Sequence, residues 1–324
     1  MARRGGGVAR GRPVNKIGII HHPQMAEARA LAGALRSAAS REVREVWVSE
    51  AWDEENTRKN VPGTDLLISI GGDGTVLRAA RLVVPHDVLL LGINLGRLGF
   101  LTELRDGDET VQRLPGILAG NWHVEERAML HVQVLDSRRG RVLHGAQPYL
   151  HALNDIVVGR DVLGRTILVS AFIDGSLVAD YRADGVIVAT ATGSTAYSQA
   201  IGGPILHPEA KEMVLIPLAP HLGQTNPLVL PAPSVVDLAL APEHVAALSI
   251  DGESRIDLEA GHVVCVTMSP HVARFVRLFD SPGFYERVAV RLRWRRGSSD
   301  GEGKHPPADY MEDRDGFAQR SEDG

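Results

Sequence analysis

Thr64-Asp65-Leu66-Leu67-Ile68-Ser69-Ile70-Gly71-Gly72-Asp73-Gly74-Thr75-Val76-Leu77-Arg78-Ala79-Ala80 is the stretch whose reading decides the fold. Leu66 to Ile70 has the length and β-branched content of a buried parallel strand, and Val76 to Leu82 sets apolar residues beside Arg78 and Arg81 at helical spacing. The glycine turn between them stands at a strand's carboxyl end. Open α/β sheets bind ligands there, and the following helix turns its first backbone N–H groups toward an anion. Gly71, Gly72 and Gly74 let the backbone approach a phosphate closely. Asp73 is a different matter, because a carboxylate facing phosphate is repulsive unless it handles a proton, a hydroxyl or a metal ion. Taken alone, the four residues read equally well as a tight βα turn whose glycines supply positive φ and whose Asp73 caps the helix.

Working outward, Lys16 to Ile20 reads as a strand, and Met25 to Ser40, rich in alanine and leucine, as a helix. His21 and His22 between them lack a carboxylate or third histidine at metal-ligand spacing and read as loop residues. Val43 to Ser49 and Val88 to Ile93 are further strands. Units this short, alternating strand and helix, predict a doubly wound, mostly parallel sheet over residues 15–120. The loop Asn94 to Thr102 carries Gly96 and Gly99 close behind Gly92, and reads as a connection packed tightly against something.

From Trp122 the pattern changes. Met129–Leu135, Gly159–Val162, Thr166–Ile173, Gly185–Thr190, Val235–Leu240, Ala247–Ile250 and Val263–Met268 read as strands, with Asp174-Gly175 and Asp251-Gly252 as hairpin turns. A mainly antiparallel β-sandwich domain is expected over 121–270, with 271–296 returning to the α/β domain. Residues 1–12 hold four arginines, four glycines and no acid; disordered tails are expected at 1–14 and 297–324.

Composition narrows the partners. The chain has 324 residues, 44% hydrophobic, and a net charge of -5, which argues against nucleic acid as the main partner. No apolar run approaches the roughly 18 to 20 residues that span a bilayer and no leader opens the chain, so a cytoplasmic protein without a membrane partner is expected. The single cysteine, Cys265, lies in an apolar run and reads as a small core residue, which rules out an internal disulfide.

The β half carries Arg182-Ala183-Asp184-Gly185-Val186-Ile187-Val188-Ala189-Thr190-Ala191-Thr192-Gly193-Ser194-Thr195-Ala196-Tyr197-Ser198. A strand runs into four hydroxyls and an aromatic ring, a set of donors, acceptors and π surface that suits a nucleotide base and sugar. As bare residues they also fit a hydroxyl-rich turn capping a short helix, with Tyr197 in a core.

These blocks, together with Leu95-Gly96-Arg97-Leu98-Gly99-Phe100-Leu101, Leu153-Asn154-Asp155 and Gly202-Gly203-Pro204-Ile205-Leu206-His207-Pro208, stand in one order. In that order the chain resembles the NAD kinases (ATP-NAD and polyphosphate-ATP NAD kinases) over roughly residues 15 to 295. The resemblance implies a Rossmann-like α/β domain followed by a β domain, NAD bound between them, and a homo-oligomer, dimer or tetramer, in which a neighbouring subunit often completes the site. It implies transfer of the terminal phosphoryl group of ATP, or polyphosphate, to the 2′-hydroxyl of the adenosine ribose of NAD, with Mg²⁺ held mainly by ATP and no dedicated metal ligands. By the same likeness Asp73 is the proton acceptor, Gly71, Gly72, Gly74 and Thr75 hold phosphates, and Asn154 and Asp155 bind NAD. Arg78, Phe100, Arg165 and Arg182 face the dinucleotide and Asp184 meets its nicotinamide end. Thr192, Thr195, Ala196, Tyr197, Ser198, Gln199 and Ala200 complete the pocket, with Tyr197 against the adenine.

The chain departs from the family pattern at Ala191, where proline is common, at Glu253, where glutamine is usual, and at Asn226, where arginine is common. Two other readings are a catalytically silent NAD-binding sensor and a lipid kinase sharing the Gly-Gly-Asp-Gly turn.

Overall fold

The computed structural model describes residues 13–278 and 283–291, apart from 97–98, 106, 138–140, 146, 148–149, 163 and 222–224. The expected tails lie outside the described residues but for positions 13 and 14. In chain order the elements are β1 (Lys16–His21), α1 (Ala26–Ala39), β2 (Glu45–Glu50), α2 (Glu54–Asn60), β3 (Leu66–Ile70), α3 (Asp73–Val83), β4 (Leu89–Ile93) and α4 (Gly107–Leu118). There follow β5 (His123–Asp136), β6 (Arg141–His144), β7 (His151–Ala152), β8 (Asp155–Arg160), β9 (Ile167–Ile173), β10 (Ser176–Ala183), β11 (Gly185–Thr190), a 3-10 turn (Gly193–Thr195) and α5 (Tyr197–Ala200). The last are β12 (Met213–Leu218), β13 (Leu228–Leu230), β14 (Val236–Leu240), β15 (Ala246–Ile250), β16 (Ser254–Leu258), β17 (His262–Arg277) and α6 (Phe284–Arg291).

The fold is α/β. β2, β1, β3 and β4 pair in parallel in that order. Alternation along β3 sets the layers: Leu66, Ile68 and Ile70 pack with Leu31 and Leu35 of α1 and Ile117 of α4, while Leu67 packs with Val76, Leu77 and Ala80 of α3 on the other face. Both faces are covered, as a parallel sheet requires. β17 then pairs in parallel with β4 through Arg274 and Phe275. Earlier along the same edge β17 pairs antiparallel with β14, while β5 pairs with the other edge of β17, which carries one sheet into the antiparallel half. A second sheet, β13-β12-β11-β8-β15-β16, is wholly antiparallel. Val132, Val169, Leu238 and Val264 of the first sheet meet Val158, Val186, Leu215 and Leu248 of the second in one apolar core. Residues 1–281 form one unit; α6 belongs to another, 282–324.

Both hairpin turns use left-handed backbone, with φ of 51° and 78° at Asp174 and Gly175 and 51° and 71° at Asp251 and Gly252. Gly71, Gly72 and Gly74 do not: none has positive φ. A Cβ on Gly71 would stand 2.3 Å from Thr75 Oγ1, whereas Cβ atoms on Gly72 and Gly74 would meet nothing within 4 Å. Their absence keeps space open. Cys265 is half-buried and not a core residue; it pairs with Asp237 across β14 and β17, and burial with that carboxylate pushes its thiol up to about 12. The strand expected at 159–162 begins earlier and ends at Arg160.

Away from the glycine turn, His151 on β7 sits 4.8 Å, ring to ring, from His131 and 5.4 Å from His271, its Nδ1 2.9 Å from Ser269 Oγ. Gly145 carbonyl faces His131 Nε2 at 3.0 Å. Burial, then the two neighbouring rings, lowers His151 to about 4. The unfolded chain thus takes up this proton near pH 6.5 and the folded chain only near 4, so stability falls as pH drops between those values. Allowing for partial solvation the loss is about 2 kcal/mol. In denaturant titrations the stability advantage of the parent over His151→Gln is expected to shrink by that amount from pH 7 to 4.5; a constant difference would show that His151 does not titrate in this way.

Candidate functional site

Asp73 is the first residue of α3, and the helix is capped by Gly72 without any side-chain hydrogen bond. The capping role open to Asp73 in the sequence is therefore not the one it has. Its carboxylate accepts the backbone N–H of Phe100 at 2.9 Å and of Leu101 at 3.2 Å, both from the loop after β4. Two oxygens each held by an amide leave the group aimed, which is what a proton acceptor needs. The close packing expected of that loop is explained at Gly99, where a Cβ would stand 2.0 Å from Asp73 Oδ1. Phe100 itself is buried.

Beside the turn opens a cleft of about 290 Å³ lined by His22, Met25, Ala51, Trp52, Gly72, Gly74, Thr75, Arg78 and Glu253. His22 meets Trp52 edge-on with ring centroids 4.5 Å apart, and the Arg78 guanidinium lies over the Trp52 ring at 5.5 Å. Arg78 also pairs with Glu54 at 3.3 Å and with Glu253 at 2.9 Å. Glu253 bonds in addition to buried Arg81, whose other nitrogen reaches Ser254 Oγ at 2.9 Å. The β15–β16 turn is thereby tied to α3. His22, Trp52, Glu54 and Arg81 carry no sequence signal for this role, since only the fold brings their three segments together.

The same turn reaches the second block of expected residues. Asp251 accepts the N–H of Leu153 at 2.9 Å, Asn154 at 2.7 Å and Asp155 at 3.2 Å. Burial pushes Asp251 up, opposed by those three amides and by Arg81. Asp155, buried next to that carboxylate, is pushed up to about 7. Asn154 is also gripped from β11: its carbonyl accepts Thr190 N–H at 2.8 Å, and a Cβ on Gly193 would stand 2.0 Å from that oxygen. Thr190 Oγ1 donates to Leu153 O at 2.6 Å and accepts from Gly193 N–H at 3.0 Å.

The hydroxyl-rich loop is partly structural. Ser194 bonds to Ala191 O at 2.6 Å and Thr195 to Thr192 O at 3.0 Å. By contrast, the hydroxyls of Thr192 and Ser198 are buried with no hydrogen-bond partner among the described residues. Tyr197 is not in a core: it is 42% exposed, with Ala196 and Gln199 half-buried and Ala200 exposed around it. Arg165, Arg182 and Asp184 sit elsewhere, at the β9 to β11 end. Asp184 pairs with Arg160 at 3.0 Å, and Arg160 and Arg165 line a small hollow with Glu243 and His244. Arg165 and Arg182 are exposed, and no described contact joins these three to Asp73 or Asn154.

Comparison with known proteins gives two family-model matches, the ATP-NAD kinase N-terminal domain over residues 17–122 and the ATP-NAD kinase C-terminal domain over 153–278. An NAD kinase of Dehalococcoides mccartyi strain BAV1 is 38% identical over 280 residues, 86% of this chain and 96% of that protein. One of Chloroflexus aurantiacus is 43% identical over 233 residues, 72% and 82% of the two chains. Among solved structures, an NAD kinase from Archaeoglobus fulgidus in complex with ATP superposes with a TM-score of 0.68 at 26% identity over 86% of this chain and 98% of that one. Yeast NADH kinase complexed with NADH shares the fold, with a TM-score of 0.74 at 23% identity over 90% and 91% of the two chains.

Proposed function

Because the chain belongs to the NAD kinase family, we propose that it transfers the terminal phosphoryl group of ATP to the 2′-hydroxyl of the adenosine ribose of NAD, giving NADP. The observation that carries this reading is the Asp73 carboxylate, fixed by two amides at the carboxyl end of the parallel sheet and beside an open glycine turn. Asp73 orients the ribose hydroxyl and takes its proton. The backbone of Gly71, Gly72, Gly74 and Thr75 holds phosphate, the space left by Gly72 and Gly74 letting oxygens approach. The cleft under Arg78 takes the anionic donor. Asn154 and Asp155 bind the acceptor, and Thr192, Thr195, Ala196, Tyr197, Ser198, Gln199 and Ala200 receive its adenine. The exposed ring of Tyr197 supports that role. Phe100 acts through its amide. Arg165, Arg182 and Asp184, apart from this group within one chain, fit a dinucleotide site completed by a second copy.

Among the described residues no group of three or more histidine, cysteine, aspartate or glutamate side chains is arranged to hold a metal ion. The hard oxygen donor at the turn is Asp73, which fits a Mg²⁺ that keeps most of its ligands on the nucleotide and water. When bound, the ion neutralises charge that spreads over the phosphoryl oxygens. No helix among the described residues is long and apolar enough to cross a membrane.

The test is NADP formation by the purified protein with Mg²⁺, NAD and either ATP or polyphosphate, with NAD binding measured alongside. Binding without turnover would favour a silent sensor, a reading to which Glu253 lends weight because it occupies Arg78. The same pairing gives a further expectation. Glu253→Gln removes an anion that competes with phosphate for Arg78, and the KM for ATP is expected to fall roughly three-fold with kcat within about two-fold; a raised KM in steady-state assays would mean that Glu253 serves the donor and does not compete with it.

A further inference from the structure

Behind the loop that holds Asp73 lies a buried charge network that the proposed chemistry does not touch. Arg277, at the end of β17 and 3% exposed, donates Nη1 to Glu103 at 3.1 Å and Nε and Nη2 to Glu125 at 3.1 and 2.9 Å. Arg127 pairs with the same Glu125 oxygen at 2.7 Å, and both guanidinium groups lie 5.2 Å from the centre of the Phe275 ring. Glu103 is fully buried and accepts Leu278 N–H at 2.8 Å. With its two arginines Glu125 is held down to about 2 against the cost of burial.

Ion pairs this deep are a poor route to stability, since apolar residues of equal volume serve as well or better. What an apolar core does not supply is the remaining bond. Arg277 Nη1 also donates to Leu101 O at 3.2 Å, and Leu101 N–H is one of the two amides on Asp73. Glu103 N–H and Asn94 N–H bond to Gly92 O and Leu104 O at 2.7 and 2.8 Å and fix the strand-proximal edge, while Arg277 holds the carbonyl of Leu101, the residue whose N–H reaches Asp73.

We propose that Arg277 is a positioning residue for Asp73: by holding the Leu101 carbonyl and the Glu103 carboxylate together, it sets the two amides that aim the proton acceptor. The inference rests on the kinase reading for its effect on rate, but not for its effect on the loop. Lysine keeps the charge but cannot serve Glu103, Glu125 and Leu101 O at once. For Arg277→Lys we expect kcat to fall about ten- to hundred-fold while NAD affinity stays within about three-fold, the signature of lost alignment. In an Asp73→Asn background the same change is expected to cost less than about three-fold, because the group it aims is gone. Amide hydrogen exchange at Phe100 and Leu101 is expected to quicken at least about ten-fold in Arg277→Lys whether or not the protein proves to be a kinase. Should Arg277→Lys not fold, Glu103→Gln, which keeps an acceptor for Leu278 N–H, is expected to give the same pattern. Unaltered exchange at those two amides, or equal losses of kcat in the parent and Asp73→Asn backgrounds, would overturn the proposal. An inactive parent with quickened exchange would remove the kinase reading and leave the positioning role standing.

Discussion

Asp73→Asn is expected to lower kcat for NADP formation by about 10²- to 10⁴-fold, the usual worth of a positioned general base, while NAD affinity changes by no more than about three-fold. Asparagine keeps the shape and one acceptor oxygen but puts an NH₂ where the second carboxylate oxygen stood. One of the bonds from Phe100 N–H and Leu101 N–H then faces a donor. That costs the fold about 1 kcal/mol, too little to explain so large a kinetic loss. The measurement pairs steady-state kinetics with a binding titration on the same preparation. A variant that keeps half of the parental kcat would remove Asp73 from the chemistry and reduce it to a clamp for its loop.

The largest effect on stability is expected at Asp251. Its carboxylate satisfies three consecutive amides, Leu153, Asn154 and Asp155, inside the protein, and Asp251→Ala leaves all three without an acceptor next to a buried Arg81. The cost is about 3 to 5 kcal/mol, read as a lower midpoint in urea. Left-handed backbone at this position, φ 51°, adds to the penalty for alanine and less for asparagine, so Asp251→Asn is expected to retain part of the loss. Removing the Asp251 charge also removes one of the two causes that raise Asp155, whose carboxyl is expected to titrate below its present value of about 7. Equal stability of Asp251→Ala and the parent would mean that water replaces the carboxylate at those amides.

Much of this was legible in the residues because period and punctuation agreed. β3 was readable to the residue, Leu66 to Ile70, since five buried residues run into glycine, and the Asp-Gly hairpins announced their own backbone. Elements with mixed signals were not. The helix α2 is Glu54-Glu55-Asn56-Thr57-Arg58-Lys59-Asn60, with scarcely an apolar residue, and is held by its Asp53 cap on Asn56 N–H and by packing against α3. Pro115 and Gly116 sit inside α4 and hide its period. β10 exposes Leu177 and Val178, so its alternation does not report a buried face.

At the site the split follows range. Asp73, Gly99 and the Asn154–Asp155 pair lie in compact local motifs, whereas the partners that aim them come from far along the chain: Glu103 meets Arg277 across 174 positions and Asp251 meets Asn154 across 97. No spacing encodes such meetings. The turn glycines show the limit within a motif too: the sequence leaves open whether they serve close approach or positive φ, and none has positive φ, Gly72 and Gly74 facing open space and Gly71 lying against Thr75.

The last strand of the first sheet to be synthesised lies in its interior. β17 is the strand that joins β4 to β14, so a nascent chain can assemble β2, β1, β3 and β4 early but must hold the Leu89–Leu90 end of the β4 edge uncovered until Phe275 has emerged. Until then that edge offers unpaired backbone to any neighbour, the condition under which strands join the wrong chain. The Asp73 loop waits as well, since the residue that braces it comes at the end of the same strand. The geometry of the Asp73 loop and cover for that edge are thus completed together, in one late step of biosynthesis.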